Sequence, residues 1–300
     1  MPSLAIRTKL PMFIMPEVLL LLVAIVWGSS YGLTKSALTY TTVSMFIAIR
    51  FGWTFLLLAP LLVKDILKRK SPDWSIGLPT GVILALVFFF EVYGVSQTTA
   101  SNAAFLISLN VIFTAFVDVL VGKRKPDRQL IFLSVLCTSG VLMLSYDRQF
   151  QLTFNQGDIF ILCAAGLRAI MVTMTQKLAH GKQITNTTLT CVQSFVVAMG
   201  AMLISVTSLE MSVSLLPSSV DFWLITAFLV LFCTLFAFYV QNYAVRKISP
   251  TKASLLMGSE PLFGALFSMF WLQETFTSLQ WAGAALLLAS VLHASVRKQG

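Results

Sequence analysis

The chain is built from apolar runs near twenty residues long, joined by connections several of which are under ten residues. A bilayer's hydrocarbon core is about 30 Å thick and takes about twenty helical residues to cross. Within it every backbone N–H and C=O must find its partner internally, which restricts such runs to helices. Ten can be placed, at about 16–38, 42–63, 75–96, 100–121, 129–146, 157–178, 187–208, 220–243, 250–272 and 278–296. Composition agrees: 57% of residues are hydrophobic and 11% are charged, against about 25% charged in soluble domains. Nothing between the runs is large enough to fold alone. The expectation is an all-α integral membrane protein with ten transmembrane helices.

The basic residues set its orientation. Alternate connections hold Arg7 and Lys9; Lys64, Lys68, Arg69 and Lys70; Lys123, Arg124, Lys125 and Arg128; Lys177 and Lys182; Arg246, Lys247 and Lys252; and Arg297 and Lys298. The intervening ones hold only Lys35 and Arg148, with the acids Asp147, Glu210 and Asp221. Both termini are therefore expected in the cytoplasm. The net charge of +9 reflects these loops, so it carries no argument for nucleic acid. Asn186-Thr187-Thr188 falls on the cytoplasmic side and is not expected to be glycosylated. The first run carries Trp27 and Tyr31 and lacks a small-residue cleavage pattern, so it reads as a retained span rather than a signal peptide.

Ten spans divide into two sets of five, 17–146 and 157–296. Sliding the sequence by 150 positions sets Phe88 on Phe238, Tyr93 on Tyr243, Val95 on Val245, Ala103 on Ala253, Leu106 on Leu256, Phe113 on Phe263 and Ala115 on Ala265. Further on, Leu136, Val141, Leu142 and Ser145 meet Leu286, Val291, Leu292 and Ser295. The register runs ungapped through three spans. Because five is odd, the second copy must be inverted relative to the first, the arrangement from which many secondary transporters build two gates around a midplane site.

Charge inside the membrane is costly, about 2.5–3.5 kcal/mol per residue on insertion scales, and marks functional positions. Arg50, Glu91, Arg168 and Glu260 lie well inside spans, with Asn110, Gln193, Gln241 and Asn242 as polar companions. Glu260 is followed at once by Pro261, which removes a backbone donor and weakens the helix, as expected where a helix lines a water-accessible cavity. The 150 offset sets Asn110 against Glu260 and Glu91 against Gln241; an offset of 143 sets Arg50 against Gln193. Two arginines and two glutamates suit a zwitterion, or else two internal salt bridges. Glu91 lies nearest the outer end of its span. Asp118, near a cytoplasmic end, is expected to pair with Lys123 or Arg124. Trp27, Tyr31, Phe88, Phe89, Phe90, Tyr93, Tyr239 and Tyr243 are candidate cavity walls, while Gly28, Ser29, Ser30, Gly32, Gly258, Gly264 and Gly283 would let helices approach closely.

Other chemistry finds no footing. Cys137, Cys163, Cys191 and Cys233 all fall inside apolar runs with no C-x-x-C spacing and read as small buried residues; His180 and His293 lie apart at span ends. Neither a metal nor a cofactor is expected. G-x-S-x-G, H-E-x-x-H and P-loop patterns are absent, so an enzyme is not expected, and direct use of ATP within this chain is not either.

Several motifs together resemble the EamA family of the drug/metabolite transporter superfamily, over about 17–296. They are Trp27-Gly28-Ser29-Ser30 with Lys35, Arg50-Phe51, the run TTASNAAFLISLNVIFTAF, Glu260-Pro261-Leu262-Phe263 with Glu274, and Gln280-Trp281-Ala282-Gly283. The resemblance implies ten helices in two inverted five-helix repeats around a central cavity. It also implies export or exchange of small metabolites, amino acids among them, by alternating access in the bacterial inner membrane. The chain departs from the pattern at Val111, where proline is usual, at Arg168-Ala169, where Trp-Ala is common, and at Lys123-Arg124, where an acid is frequent. The combined expectation is an exporter of amino acids or related zwitterions and carboxylates, as monomer or dimer. Its site is expected to draw on Trp27, Tyr31, Arg50, Glu91, Asn110, Arg168, Gln193, Gln241 and Glu260, with protons entering through Glu260 or Glu91 as the coupling ion. Efflux of lipophilic cations and a non-transporting scaffold subunit are the alternatives.

Overall fold

The computed structural model describes residues 15–122, 127–144, 146, 155–207, 216–271 and 276–296, and all regular structure among these is helical. Eight helical stretches are long and apolar enough to cross a membrane: 16–37, 43–67, 74–97, 102–121, 156–179, 186–207, 220–245 and 278–296. They match eight of the ten expected spans. The span expected at 129–146 is met by α7 (Arg128–Leu144), apolar but only 17 residues long. The one expected at 250–272 divides into α12 (Pro250–Met257) and α13 (Glu260–Trp271). Arg7, Lys9, Lys123, Arg124, Lys125, Asp147, Arg148, Glu210, Glu274, Arg297 and Lys298 lie outside the described residues.

Three spans are broken near their middles, and each break has a serine at its centre or edge. The first divides into α1 (Met15–Gly28) and α2 (Ser30–Ala37), the fourth into α5 (Ala100–Ser108) and α6 (Asn110–Gly122), the ninth into α12 and α13. Ser29, Ser108 and Ser259 donate to the carbonyls of Val26, Phe105 and Leu256, each three residues back, at 2.9, 2.6 and 2.7 Å. Such bonds compete with the helical ladder. In the ninth span Pro261 adds a missing donor. The eighth span runs α10 (Val220–Phe228), a π-helical stretch over 229–236, then α11 (Ala237–Val245). There Thr234 Oγ1 donates to the Leu229 carbonyl at 2.8 Å.

The most extensive packing joins the first half of the chain to the second. α3 (Val43–Leu67) lies on α9 (Asn186–Thr207), α4 (Gly77–Gln97) on α8 (Gln156–Ala179), and α7 on α14 (Ser278–Val296). Small residues permit the closest approaches: a Cβ on Gly28 would meet Gly264 N at 2.7 Å, and one on Gly140 would meet Gly283 O at 2.9 Å. A Cβ on Gly32, expected to serve the same purpose, would meet nothing within 4 Å among the described residues. The outside carries Leu56, Leu120 and Leu203, exposed as a lipid-facing surface requires.

Residues expected on one membrane face touch one another. Asp73 pairs with Lys182 at 3.7 Å and Thr185 donates to Asp65 Oδ2 at 2.6 Å, tying the α3–α4 connection to the α8–α9 connection. On the other face Tyr40 stacks edge-on against Phe222 at 6.2 Å. Asp118 accepts from Thr251 Oγ1 at 2.8 Å, a partner from a distant helix that local spacing does not reveal. Cys163 is exposed, unlike the other three cysteines, because it sits on the outer side of α8.

Candidate functional site

Arg168, midway along α8, lies between two carboxylates: Glu91 Oε2 of α4 is 3.8 Å from its Nε, and Glu260 Oε2, opening α13, is 3.5 Å from its Nη1. All three side chains are buried. These distances are longer than the 2.7–2.9 Å of tight charge-assisted bonds, so the triad is loose. Glu260 Oε1 has no hydrogen-bond partner. The start of a helix is a favourable place for its negative charge, since the dipole is positive there. The buried Tyr31 hydroxyl has no hydrogen-bond partner among the described residues.

Aromatic rings wall this cluster. The Arg168 guanidinium stacks 4.5 Å over the Trp27 ring, a cation–π contact of about 0.5–2 kcal/mol. Trp27 packs on Phe238 at 5.6 Å, and Phe238 on Phe88 at 5.7 Å. Trp27 Nε1 donates to the Cys233 carbonyl at 2.8 Å.

Arg50 lies against the same walls but is held differently. Its Nε donates to Thr234 Oγ1 at 2.7 Å and its Nη2 to the Cys233 carbonyl at 3.4 Å, and its guanidinium lies 5.2 Å from the centroid of Phe88. The π-helical stretch delivers both oxygens, in keeping with the frequent placement of such turns at functional sites. Among the described residues Arg50 forms no ion pair. A small cavity of about 10 Å³ is lined by Trp27, Ser30, Tyr31, Thr34, Arg50, Phe88, Glu91, Val92, Val95 and Arg168. It holds about one water, so the site is closed in this conformation.

Six of the nine residues singled out from the sequence thus come together: Trp27, Tyr31, Arg50, Glu91, Arg168 and Glu260. Five of these line the cavity and Glu260 joins them through Arg168; the other three do neither. Gln193 Oε1 accepts from Asn242 Nδ2 at 2.8 Å in a separate buried cluster with Thr190. Gln241 Oε1 and Asn110 Oδ1 are buried without partners. Of the proposed aromatic walls, Tyr93 and Tyr239 are exposed, at 45% and 43%, and point away from the core. Reasoning from sequence missed Thr234, the Cys233 carbonyl and Phe238, whose roles arise only when the eighth span is laid against the second. A larger cleft, about 610 Å³, opens at the ends of α8, α9 and α11, with Gln176, His180, Lys182, Asn186, Tyr243 and Arg246 among its lining. It lies at the membrane surface within one half of the chain, away from the charge cluster.

A bundle of apolar helices with broken spans around buried ionisable groups defines a polytopic membrane transporter. The model of the EamA-like transporter family matches residues 14–146 and again 155–296, and the chain belongs to that family. An uncharacterized transporter of Archaeoglobus fulgidus is 29% identical over 283 residues, spanning 93% of this chain and 85% of that protein. The uncharacterized transporter YyaM of Bacillus subtilis is 24% identical over 291 residues, covering 93% and 92%. A crystal structure of a protein superposes with a TM-score of 0.74 at 13% identity, covering 93% of this chain and 96% of its own, a likeness of fold alone.

Proposed function

We propose that this transporter moves a small zwitterion, an amino acid or close relative, by alternating access at the Arg50–Arg168–Glu260 site. The observation that carries the proposal is the unequal treatment of the two arginines. Arg168 already has two carboxylates, whereas Arg50 has only neutral acceptors. A substrate carboxylate would therefore go to Arg50, whose planar fork binds both oxygens. The substrate ammonium would go to Glu260, whose Oε1 is unpartnered, or to Glu91. The sequence left both arginines as candidates; the engagement of Arg168 with both glutamates gives the role to Arg50. Trp27, Tyr31 and Phe88 would wall the side chain.

In this reading 17–146 and 157–296 are two inverted five-helix repeats forming ten membrane-crossing segments, α12–α13 being the broken ninth. The 150-residue register, the doubled family match and the pairing of α3 with α9 and α7 with α14 support it. Rocking of one repeat against the other would open the cavity to each side in turn. The basic loops face the cytoplasm, with both termini there, in a bacterial inner membrane, and the direction is export. Protons entering at Glu260 or Glu91 drive it. With both changed to Gln, dependence on a pH gradient should vanish, and unchanged dependence would exclude proton coupling through these groups.

Thermal unfolding of the detergent-purified protein against amino acids, organic acids and lipophilic cations tests the substrate class. A ligand at a hundred times its Kd stabilises by about 2.7 kcal/mol. Stabilisation by amino acids, lost in Arg50→Met, is expected. Stabilisation by cations alone, lost in Glu260→Gln, would instead assign the surplus carboxylate of the triad to a cationic drug. No ligand and no transport phenotype on mutating either residue would favour a scaffold.

A further inference from the structure

Away from the central site, two interactions close the two ends of the molecule in the same way. On the face of the basic loops, Lys252 Nζ, in the first turn of α12, lies 2.7 Å from Glu17 Oε1 and 3.2 Å from the Ser295 carbonyl. Both charged side chains are buried, and the adjacent Thr251 bonds Asp118. On the opposite face Thr98, two residues ahead of α5, donates to Asp158 Oδ1 at 2.6 Å, and its carbonyl accepts Lys35 Nζ at 2.7 Å.

The two are counterparts by position. α12 begins 150 residues after α5, and each ends at a break: α5 just before Asn110, α12 just before Glu260. Glu17 is the third residue of α1, and Asp158 the third residue of α8. Each half of the chain thus opens with a helix whose third residue is an acid, and that acid reaches across to the start of the other half's short half-helix. One such half-helix, α12, is buried along its whole length.

We infer that Glu17–Lys252 and Asp158–Thr98 are reciprocal latches, one per membrane face, released in alternation as α12 and α5 swing aside; this rests on the alternating-access reading above. Both latches are closed here, which accounts for the small central cavity. At the Thr98 latch Asp158 meets a neutral hydroxyl; at the other, the buried Glu17–Lys252 ion pair suits the task. Its attraction is largely offset by the desolvation of its charges, so opening the face to water returns that cost and the pair separates readily. Closed, it fixes one register only, because leaving either charge buried alone is strongly unfavourable. The far end of α12 abuts Glu260, so movement of the latch and occupancy of the site act on the same short rigid segment.

The test is sidedness of access to the cavity, which needs no substrate. A reporter cysteine, Ser30→Cys, is placed in the cavity lining, with the exposed Cys163 replaced by alanine. Membrane-impermeant maleimide is then applied to right-side-out and to inside-out vesicles containing the full chain. Glu17→Gln should raise labelling several-fold from the face of the basic loops and lower it from the other. Thr98→Val, which spares the cap that Asp158 gives α8, should do the reverse. Lys252→Gln provides a second variant with the same expectation as Glu17→Gln, and the exchange Glu17→Lys with Lys252→Glu should restore the parental pattern. Labelling that rises from both faces, rises from the wrong face, or stays unchanged in protein with a parental gel-filtration profile would overturn the latches. Opposite shifts with no solute transported would keep the latches and remove the substrate assignment instead.

Discussion

At the scale of single residues, the contrast lies between tight and loose charge pairs. Lys252 and Glu17 meet at 2.7 Å, whereas Arg168 sits 3.5 and 3.8 Å from its two carboxylates. Removing one member of a buried pair leaves uncompensated charge and costs about 3–5 kcal/mol. Arg168→Ala leaves two carboxylates facing each other, so its apparent Tm should fall well below that of Arg50→Met, which leaves only neutral acceptors behind. Fluorescence-detected thermal unfolding of the two variants checks this order. The four embedded charges were legible in the sequence, because nothing else in an apolar run explains them. Their partners were not: Arg50's acceptors are a hydroxyl and a carbonyl 184 and 183 positions away, and neutral groups leave no mark in an apolar span.

At the scale of helices, length and hydropathy gave ten spans, eight of which coincide with helical stretches long and apolar enough to cross a membrane, and short connections gave their order. The breaks were harder to foresee. Pro261 flags one, but Ser29 and Ser108 are ordinary residues whose back-bonding becomes decisive only where neighbouring helices hold the bent form. The π-helical stretch over 229–236 had no sequence signal at all. Glycine was a partial guide: Gly28, Gly264 and Gly283 mark backbone crossings, whereas Gly32 faces open space. Gly140→Leu should therefore destabilise by overpacking against α14, by about 1–3 kcal/mol. Gly32→Ala should be neutral or gain up to about 1 kcal/mol of helix propensity. Thermal unfolding of both variants decides it; equal losses would mean that α7 and α14 are not in the contact described.

At the scale of the molecule, connections that carry basic residues are tied to one another across the chain, Asp73 reaching Lys182 and Glu17 reaching Lys252. What sequence alone could not give is the state of the site. It gathers two arginines and two glutamates into one aromatic-walled cluster instead of two separate salt bridges, an outcome of how the halves dock. The central claim is that this cluster recognises a zwitterion, with Arg50 taking the carboxylate. Solute counterflow in proteoliposomes tests it most directly: vesicles loaded with a mixture of unlabelled amino acids, radiolabelled amino acids outside, and wild type compared with Arg50→Met and Arg50→Lys. The account predicts uptake by wild type, near-complete loss in Arg50→Met and partial retention in Arg50→Lys. Undiminished counterflow in Arg50→Met would contradict it.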